Sequence, residues 1–276
     1  MEIGLVFWAE QNTRNTLQQL AAFGLTAGQI GVSPDLDCNA ALFDWQAALN
    51  TTPLTLSSAV CSYRCEDYSN LQTIHQTVGF TTESLRSDRI ARTKEVSAFA
   101  QALGIPAVSC HIGFIPSNTS EPLYKDLRDL TRLLCDTCAA HHQNFVLETG
   151  QESADVLLAF IHHVDRPNLK VNFDPANMIM YASGDPLAAL DILSPHIISV
   201  HCKDACSPIA GSGLLGEECV LGDGEVDFPA FLRTLKRIGY QGLLSIEREE
   251  PNPEQRTADI QTGIQRLHQW KTQLAL

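Results

Sequence analysis

Four ligand-type side chains stand at the ends of four apolar runs: Glu148 in NFVLETGQE, Asp174 in KVNFDPAN, His201 in IISVHCKDA and Glu247 in GLLSIEREE. Each sits where hydrophobic sequence gives way to polar or Gly/Pro-containing sequence. If those runs are parallel strands of one barrel, their carboxyl ends gather at a single mouth. Two glutamates, an aspartate and a histidine meeting there make a mixed oxygen and nitrogen site for one divalent ion. Taken singly, either glutamate could be a solvated loop residue, and the histidine a core residue satisfied by a carbonyl. A buried carboxylate is costly unless it is paired or metal-bound. Four such residues at four strand ends favour the shared ion, and with it an enzyme over a binding module.

The elements that must position them alternate between strand and helix. Strands are expected at 2–8, 27–33, 54–62, 107–113, 144–148, 169–174, 197–203 and 243–247. Runs such as NFVLE are apolar through their centre, as in strands covered on both faces. Helical spacing marks 13–24 (Leu17, Leu20, Phe23, with Asn12 as N-cap and Gly24 as stop) and 87–104. It recurs in SEPLYKDLRDLTRLLCDTCAAHH, SADVLLAFIHHV, DPLAALDIL, DFPAFLRTLKRIG and EQRTADIQTGIQRLHQW. Eight such alternations predict an α/β fold, a (β/α)8 TIM barrel forming one domain over 1–276. The competing doubly wound sheet normally carries a Gly-rich turn after its first strand, and FWAEQNT has none. Two long connections, 63–86 and 204–227, leave strand ends on the active face and are expected to be functional.

The totals narrow the function classes. With 44% hydrophobic and 18% charged residues in 276, an ordinary core is expected and disorder is not. A formal charge of −13 without a basic run argues against nucleic acid as a partner. No run approaches a membrane span, so no membrane partner is expected. MEIGLVFWAE carries Glu2 and reads as a first strand, not a secretory leader. Nine cysteines, an odd number, then fit a reducing, cytoplasmic setting. Cys135 and Cys138 form a CxxC, but inside a helical pattern and without a second pair, so they read as small helix residues.

LETGQE, NFDPANM, VHCKDA, and LGDGEVDF followed by IERE resemble the sugar phosphate isomerase/epimerase family. That family lies in the xylose isomerase-like TIM barrel superfamily, with the ketohexose 3-epimerases and endonuclease IV. The resemblance is strong over about 107–250 and weak before it. It implies the barrel, and one divalent ion (Mn, Mg, Co or Zn) on Glu148, Asp174, His201 and Glu247. It also draws attention to His111, Glu152, Asn177 and Lys203, and is compatible with a homodimer or homotetramer. The endonuclease branch needs three metals. Here Asn177 and Glu225 stand where that branch has histidines, and SSAVCSYR lacks another, so phosphodiester hydrolysis is disfavoured.

One ion and two glutamates suit carbon-acid chemistry. A divalent ion can chelate a ketose carbonyl and its neighbouring hydroxyl and stabilise the enediolate left by proton loss. Glu148 and Glu247, from strands five and eight, then serve as the acid/base pair. Return of the proton to the opposite face gives epimerisation; return to the neighbouring carbon gives aldose–ketose isomerisation. Expulsion of a β-hydroxyl instead gives a lyase resembling the inosose dehydratases.

Around this centre, His111 at the end of strand four could bind substrate or a ligand carboxylate. Glu152, placed in the first turn of the next helix, could bind a hydroxyl or favour the helix N-terminus. Asn177 could contact a hydroxyl or cap the following helix. Lys203 shares a strand face with His201 and could neutralise enediolate charge or pair with Asp204 or Glu247. Trp8 and Tyr63 could each shield a sugar face or pack in the core. No phosphate-cradling motif occurs, and Asp223 and Glu225 in the Gly-rich loop would repel a phosphate.

Overall fold

The computed structural model describes residues 1–9 and 13–276; the expected Asn12 cap lies outside the described residues. Apolar runs become the barrel strands β1 (Ile3–Trp8), β2 (Ala27–Val32), β3 (Thr55–Cys61), β4 (Ala107–Cys110), β5 (Asn144–Glu148), β6 (Leu169–Phe173) and β7 (Ile197–Cys202). A hairpin of β8 (Asp204–Cys206) and β9 (Glu217–Cys219) precedes the eighth barrel strand, β10 (Leu244–Ile246). Every barrel pairing is parallel, and β10 pairs with both β1 and β7, closing the ring in the order β1-β10-β7-β6-β5-β4-β3-β2. Strands covered on both faces are largely apolar, and β2 and β4 are buried at every position, Gln29 and Ser109 included.

The outer layer comprises α1 (Thr13–Ala22), α2 (Cys38–Thr51), α3 (Leu71–Thr77), α4 (Arg86–Ala102) and α5 (Pro122–Ala140). It continues with α6 (Ala154–Val164), α7 (Pro175–Met180), α8 (Pro186–Leu193), α9 (Phe228–Arg237) and α10 (Pro253–Leu274). Side-chain caps fix several starts. Ser153 accepts from Val156 N, Asp174 from Asn177 N and Asp227 from Ala230 N, satisfying amides that have no partner within the helix. The more amphipathic helices present an apolar stripe to the barrel. On α9 it is Phe228, Phe231, Leu232 and Leu235, all buried, with Phe231 lying 6.0 Å from Phe173 of β6 between ring centroids. Cys135 and Cys138 are buried on α5, where burial pushes their thiols up to about 12 and about 11. Among the described residues no helix is long and apolar enough to cross a membrane.

The barrel interior is not wholly apolar. Gln29 of β2 hydrogen-bonds toward Asn172 of β6 and Ser245 of β10. Those strands are not neighbours in the ring, so these side chains meet inside it, as layers drawn from alternate strands do.

Both long connections are partly ordered. Segment 63–86 contains α3 and a 3-10 turn at Glu83–Leu85, and segment 204–227 contains the β8–β9 hairpin. Asp204 organises the latter. Its Oδ1 accepts from Ala205 N and Val226 N, and its Oδ2 from Gly222 N and Gly224 N, at 2.8–3.0 Å. Gly224 is required by that approach, because a Cβ there would lie 2.3 Å from Asp204 Oδ1. The GDG sequence is thus the wrapping of a buried carboxylate.

Candidate metal centre

Four consecutive barrel strands in the ring deliver one residue each to the mouth. Glu148 is the last residue of β5, Asp174 follows β6, His201 lies next to the end of β7, and Glu247 follows β10. One ligand atom from each lies within 4.8 Å of all the others. His201 Nδ1 is the hub, at 3.4 Å from Glu148 Oε1, 3.5 Å from Asp174 Oδ2 and 3.2 Å from Glu247 Oε2. Asp174 and His201 are fully buried, Glu148 is buried, and the Glu247 side chain is 14% exposed.

The residues fit a divalent cation. Asp174 Oδ2 and His201 Nδ1 are buried without a hydrogen-bond partner, a combination rarely left in a native fold unless an ion or water completes it. Burial alone would push the His201 imidazole down, yet the Glu247 and Glu148 carboxylates hold it well above its ordinary value. The cavity therefore attracts positive charge. Burial raises the Asp174 carboxyl despite His201 and Lys203. Burial also opposes ionisation of Glu247, but His201 and Lys203 prevail and hold it well below the carboxylate range. At Glu148 burial is outweighed by His111 and His201.

The neighbours expected from sequence divide into three groups. His111, Asn177 and Lys203 touch the ligands. His111 Nε2 is 3.7 Å from Glu148 Oε1, and its Nδ1 is buried and unpaired. Asn177 Nδ2 donates to Glu148 Oε1 at 2.9 Å. Asn177 does not cap the helix that follows β6; Asp174 does, and the Asn177 amide is the group capped. Lys203, buried just beyond β7, donates to Glu247 Oε2 at 3.0 Å and Glu249 Oε1 at 2.8 Å. Asp204 is committed to its loop amides and is not a partner of Lys203.

Glu152 differs from its expected place. It precedes the Ser153 cap and so lies outside helix α6. Burial pushes its carboxyl up to about 8, opposed by the Ile115 amide and its own. Trp8 ends β1 half-exposed, its indole lying over Gly31, where a Cβ would meet the ring at 2.6 Å. Tyr63 is buried, its hydroxyl 2.8 Å from Thr93 Oγ1 and its ring 5.2 Å from Phe80. Glu225 is exposed and holds Ser207, outside the cluster.

Several residues at or beneath the centre are not singled out by sequence. Gln29 Oε1 and Asn172 Nδ2 lie 3.1 and 3.0 Å from His201 Nε2. Asn172 could have been found from its spacing, since it precedes Asp174 by two and shares its strand face. Gln29 is the lone polar side chain in AGQIGV, itself a signal. Above the ligands, Tyr68 packs 5.9 Å from His111, and Phe114 lies 5.9 Å from Tyr181. Gln151 is buried with Nε2 unpaired. A separate cavity of about 640 Å³, lined by Leu36, Tyr63, Arg64, Arg89 and Arg92 among others, shares no residue with the cluster.

Comparison with known proteins agrees with this geometry. The family described as "Xylose isomerase-like TIM barrel" matches residues 17–270. The structure of a xylose isomerase domain protein from Planctomyces limnophilus superposes with TM-score 0.92 at 36% identity, covering 99% of this chain and 98% of that one. D-psicose 3-epimerase with D-tagatose, from Clostridium cellulolyticum H10, superposes with TM-score 0.69 at 14% identity, covering 96% and 97%; this likeness is one of fold. The rhizopine catabolism protein MocC of Rhizobium meliloti is 32% identical over 124 residues, 41% of this chain. The matched stretch spans only 36% of that relative's length.

Proposed function

This chain belongs to the xylose isomerase-like TIM barrel family, and from that premise we propose that it is a divalent-metal-dependent isomerase or epimerase of a sugar or keto-sugar. The observation that carries the reading is the pairing of Glu148 and Glu247 on either side of His201, 3.4 and 3.2 Å from its Nδ1. A bound divalent ion would supply Lewis acidity toward the substrate carbonyl. The protein's own groups do the rest.

Each glutamate has one oxygen steered by a separate donor, Asn177 for Glu148 and Lys203 for Glu247. Both carboxyls are biased toward the ionised form. One removes the proton beside the carbonyl, and the other returns a proton from its own side of the mouth. Burial would lower the Lys203 ammonium, but Glu247 and Glu249 hold it well above its ordinary value. Held as an ammonium beside Glu247, it can neutralise charge on the enediolate. Nearby cations are already engaged, Lys203 with Glu247 and Glu249, and Arg248 with Glu218 and Asp259. An uncharged sugar suits such a mouth better than a phosphate ester. The fold of a D-psicose 3-epimerase supports a ketose as the first substrate class to try.

The test is deuterium exchange from solvent into candidate ketoses, with and without EDTA. Exchange into a product isomeric with the substrate, abolished by EDTA, is expected. In Glu247→Gln, turnover should fall by about 10²–10⁴-fold while the circular dichroism is retained. A dehydrated product would replace the reading with a lyase, and full activity in Glu247→Gln would remove that residue from the chemistry.

A further inference from the structure

The metal-ligating histidine has two ring nitrogens, and only one can face the carboxylates. Nδ1 does so, which requires a lone pair there and the ring proton on Nε2 whenever an ion is held. Nε2 points into the barrel, where Gln29 Oε1 lies 3.1 Å away. Gln29 comes from β2, on a strand that pairs with neither β7 nor any other strand carrying a ligand. It is fully buried.

Its amide is used to capacity. Oε1 also accepts from Ser58 Oγ at 3.1 Å, and Nε2 faces Asn172 Oδ1 and Ser245 Oγ, each at 3.4 Å. Four partners fix the plane of the amide and so fix where its oxygen points. Asn172 Nδ2, 3.0 Å from His201 Nε2, can donate to that nitrogen only when the ring proton sits on Nδ1. Coordination through Nδ1 removes that tautomer and leaves Gln29 as the acceptor.

Resting on the metal-centre reading, we infer that Gln29 is a positioning residue: its carboxamide oxygen accepts the His201 Nε2 proton and so holds Nδ1 toward the cation. Second-layer partners of this kind typically change metal affinity by about 10–100-fold when removed.

Calorimetric titration of the full chain with Mn²⁺ tests this, with Gln29→Leu removing the acceptor and Gln29→Glu keeping it. Gln29→Leu should weaken Mn²⁺ binding by about 10–100-fold, and Gln29→Glu should restore it to within a few-fold of wild type. Long-range ¹H–¹⁵N correlation of His201 in the Zn²⁺-loaded wild type should show the Nε2–H tautomer. Wild-type affinity in a folded Gln29→Leu overturns the inference. So does equal weakening in both variants, or a Zn²⁺-loaded His201 protonated on Nδ1. If Gln29→Leu fails to fold, Gln29→Glu and the tautomer decide. Failure of the wild type itself to bind Mn²⁺ and Zn²⁺ overturns the metal centre, an outcome distinct from those that overturn Gln29 alone.

Discussion

Asp174→Asn separates the metal centre from the fold that carries it. One carboxylate oxygen, Oδ1, caps helix α7 through the Asn177 amide at 2.9 Å, and the other, Oδ2, faces His201 and is unpaired. Asparagine keeps an oxygen for the cap and loses the charge aimed into the cluster. Burial raises the Asp174 carboxyl above its ordinary value. Its contribution to stability is therefore complete at low pH and is lost as pH rises through the raised folded value. A neutral amide should be tolerated at pH 7.5 without metal, leaving the melting temperature in EDTA at or above that of the wild type. The difference should appear on adding ion. At a hundred times Kd, a ligand of the native state alone adds about 2.7 kcal/mol. Unfolding 276 residues releases about 0.6 kcal/mol per kelvin, at roughly 2.1 cal/mol/K per residue. Saturating Mn²⁺ should thus raise the wild-type Tm by about 5 °C, and the same Mn²⁺ concentration should move Asp174→Asn by little or nothing. Differential scanning fluorimetry with EDTA and graded Mn²⁺ gives both numbers. An equal metal-dependent rise in the variant would refute the shared ion.

Two further outcomes follow from groups outside the four ligands. Glu152, with its carboxyl pushed up to about 8 by burial, binds a proton in the fold that the unfolded chain has already lost. Its stabilisation is present below about pH 4.5 and declines up to about pH 8, by at most roughly 1.4 kcal/mol per pH unit and less for its partial exposure. Glu152→Gln should match the wild type at pH 4 and be more stable at pH 8.5 in urea titrations; parallel stability curves would remove the effect. Asp204→Ala strips the acceptor from four amides and should cost about 3 kcal/mol. A midpoint within about 0.5 kcal/mol of wild type would show that the 222–226 loop holds itself.

The barrel and the gathering of Glu148, Asp174, His201 and Glu247 at its mouth were legible because both depend on the same signal. A strand buried on two faces is mostly apolar, so a charged residue at or just past its carboxyl end marks the mouth, as Asp174 does after Phe173. Elements with weak local signals were not legible. Helix α2 buries only Cys38, Ala41 and Trp45 and leaves Phe43 exposed, which blurs its stripe. Helix α3 buries only Ile74. The strands of the β8–β9 hairpin have three residues each, and the surrounding loop is set by Asp204, a long-range contact absent from local periodicity. The place of Glu152 depends on where helix α6 begins, which the Ser153 cap sets one residue after it. Gln29 was hidden for another reason: its partners are 29 to 216 positions away, and only closure of the ring brings them together.

All four candidate ligands come from the ends of β5, β6, β7 and β10, so among the described residues the first half of the ring reaches the cluster only through Gln29, beneath His201, and His111, beside Glu148. The loops after β1, β2 and β3 contribute none of the four clustered side chains. Such a division separates the half of the ring that carries the cluster from the half whose loops border it, and a library confined to residues 63–86 would vary that border without replacing any of the four side chains.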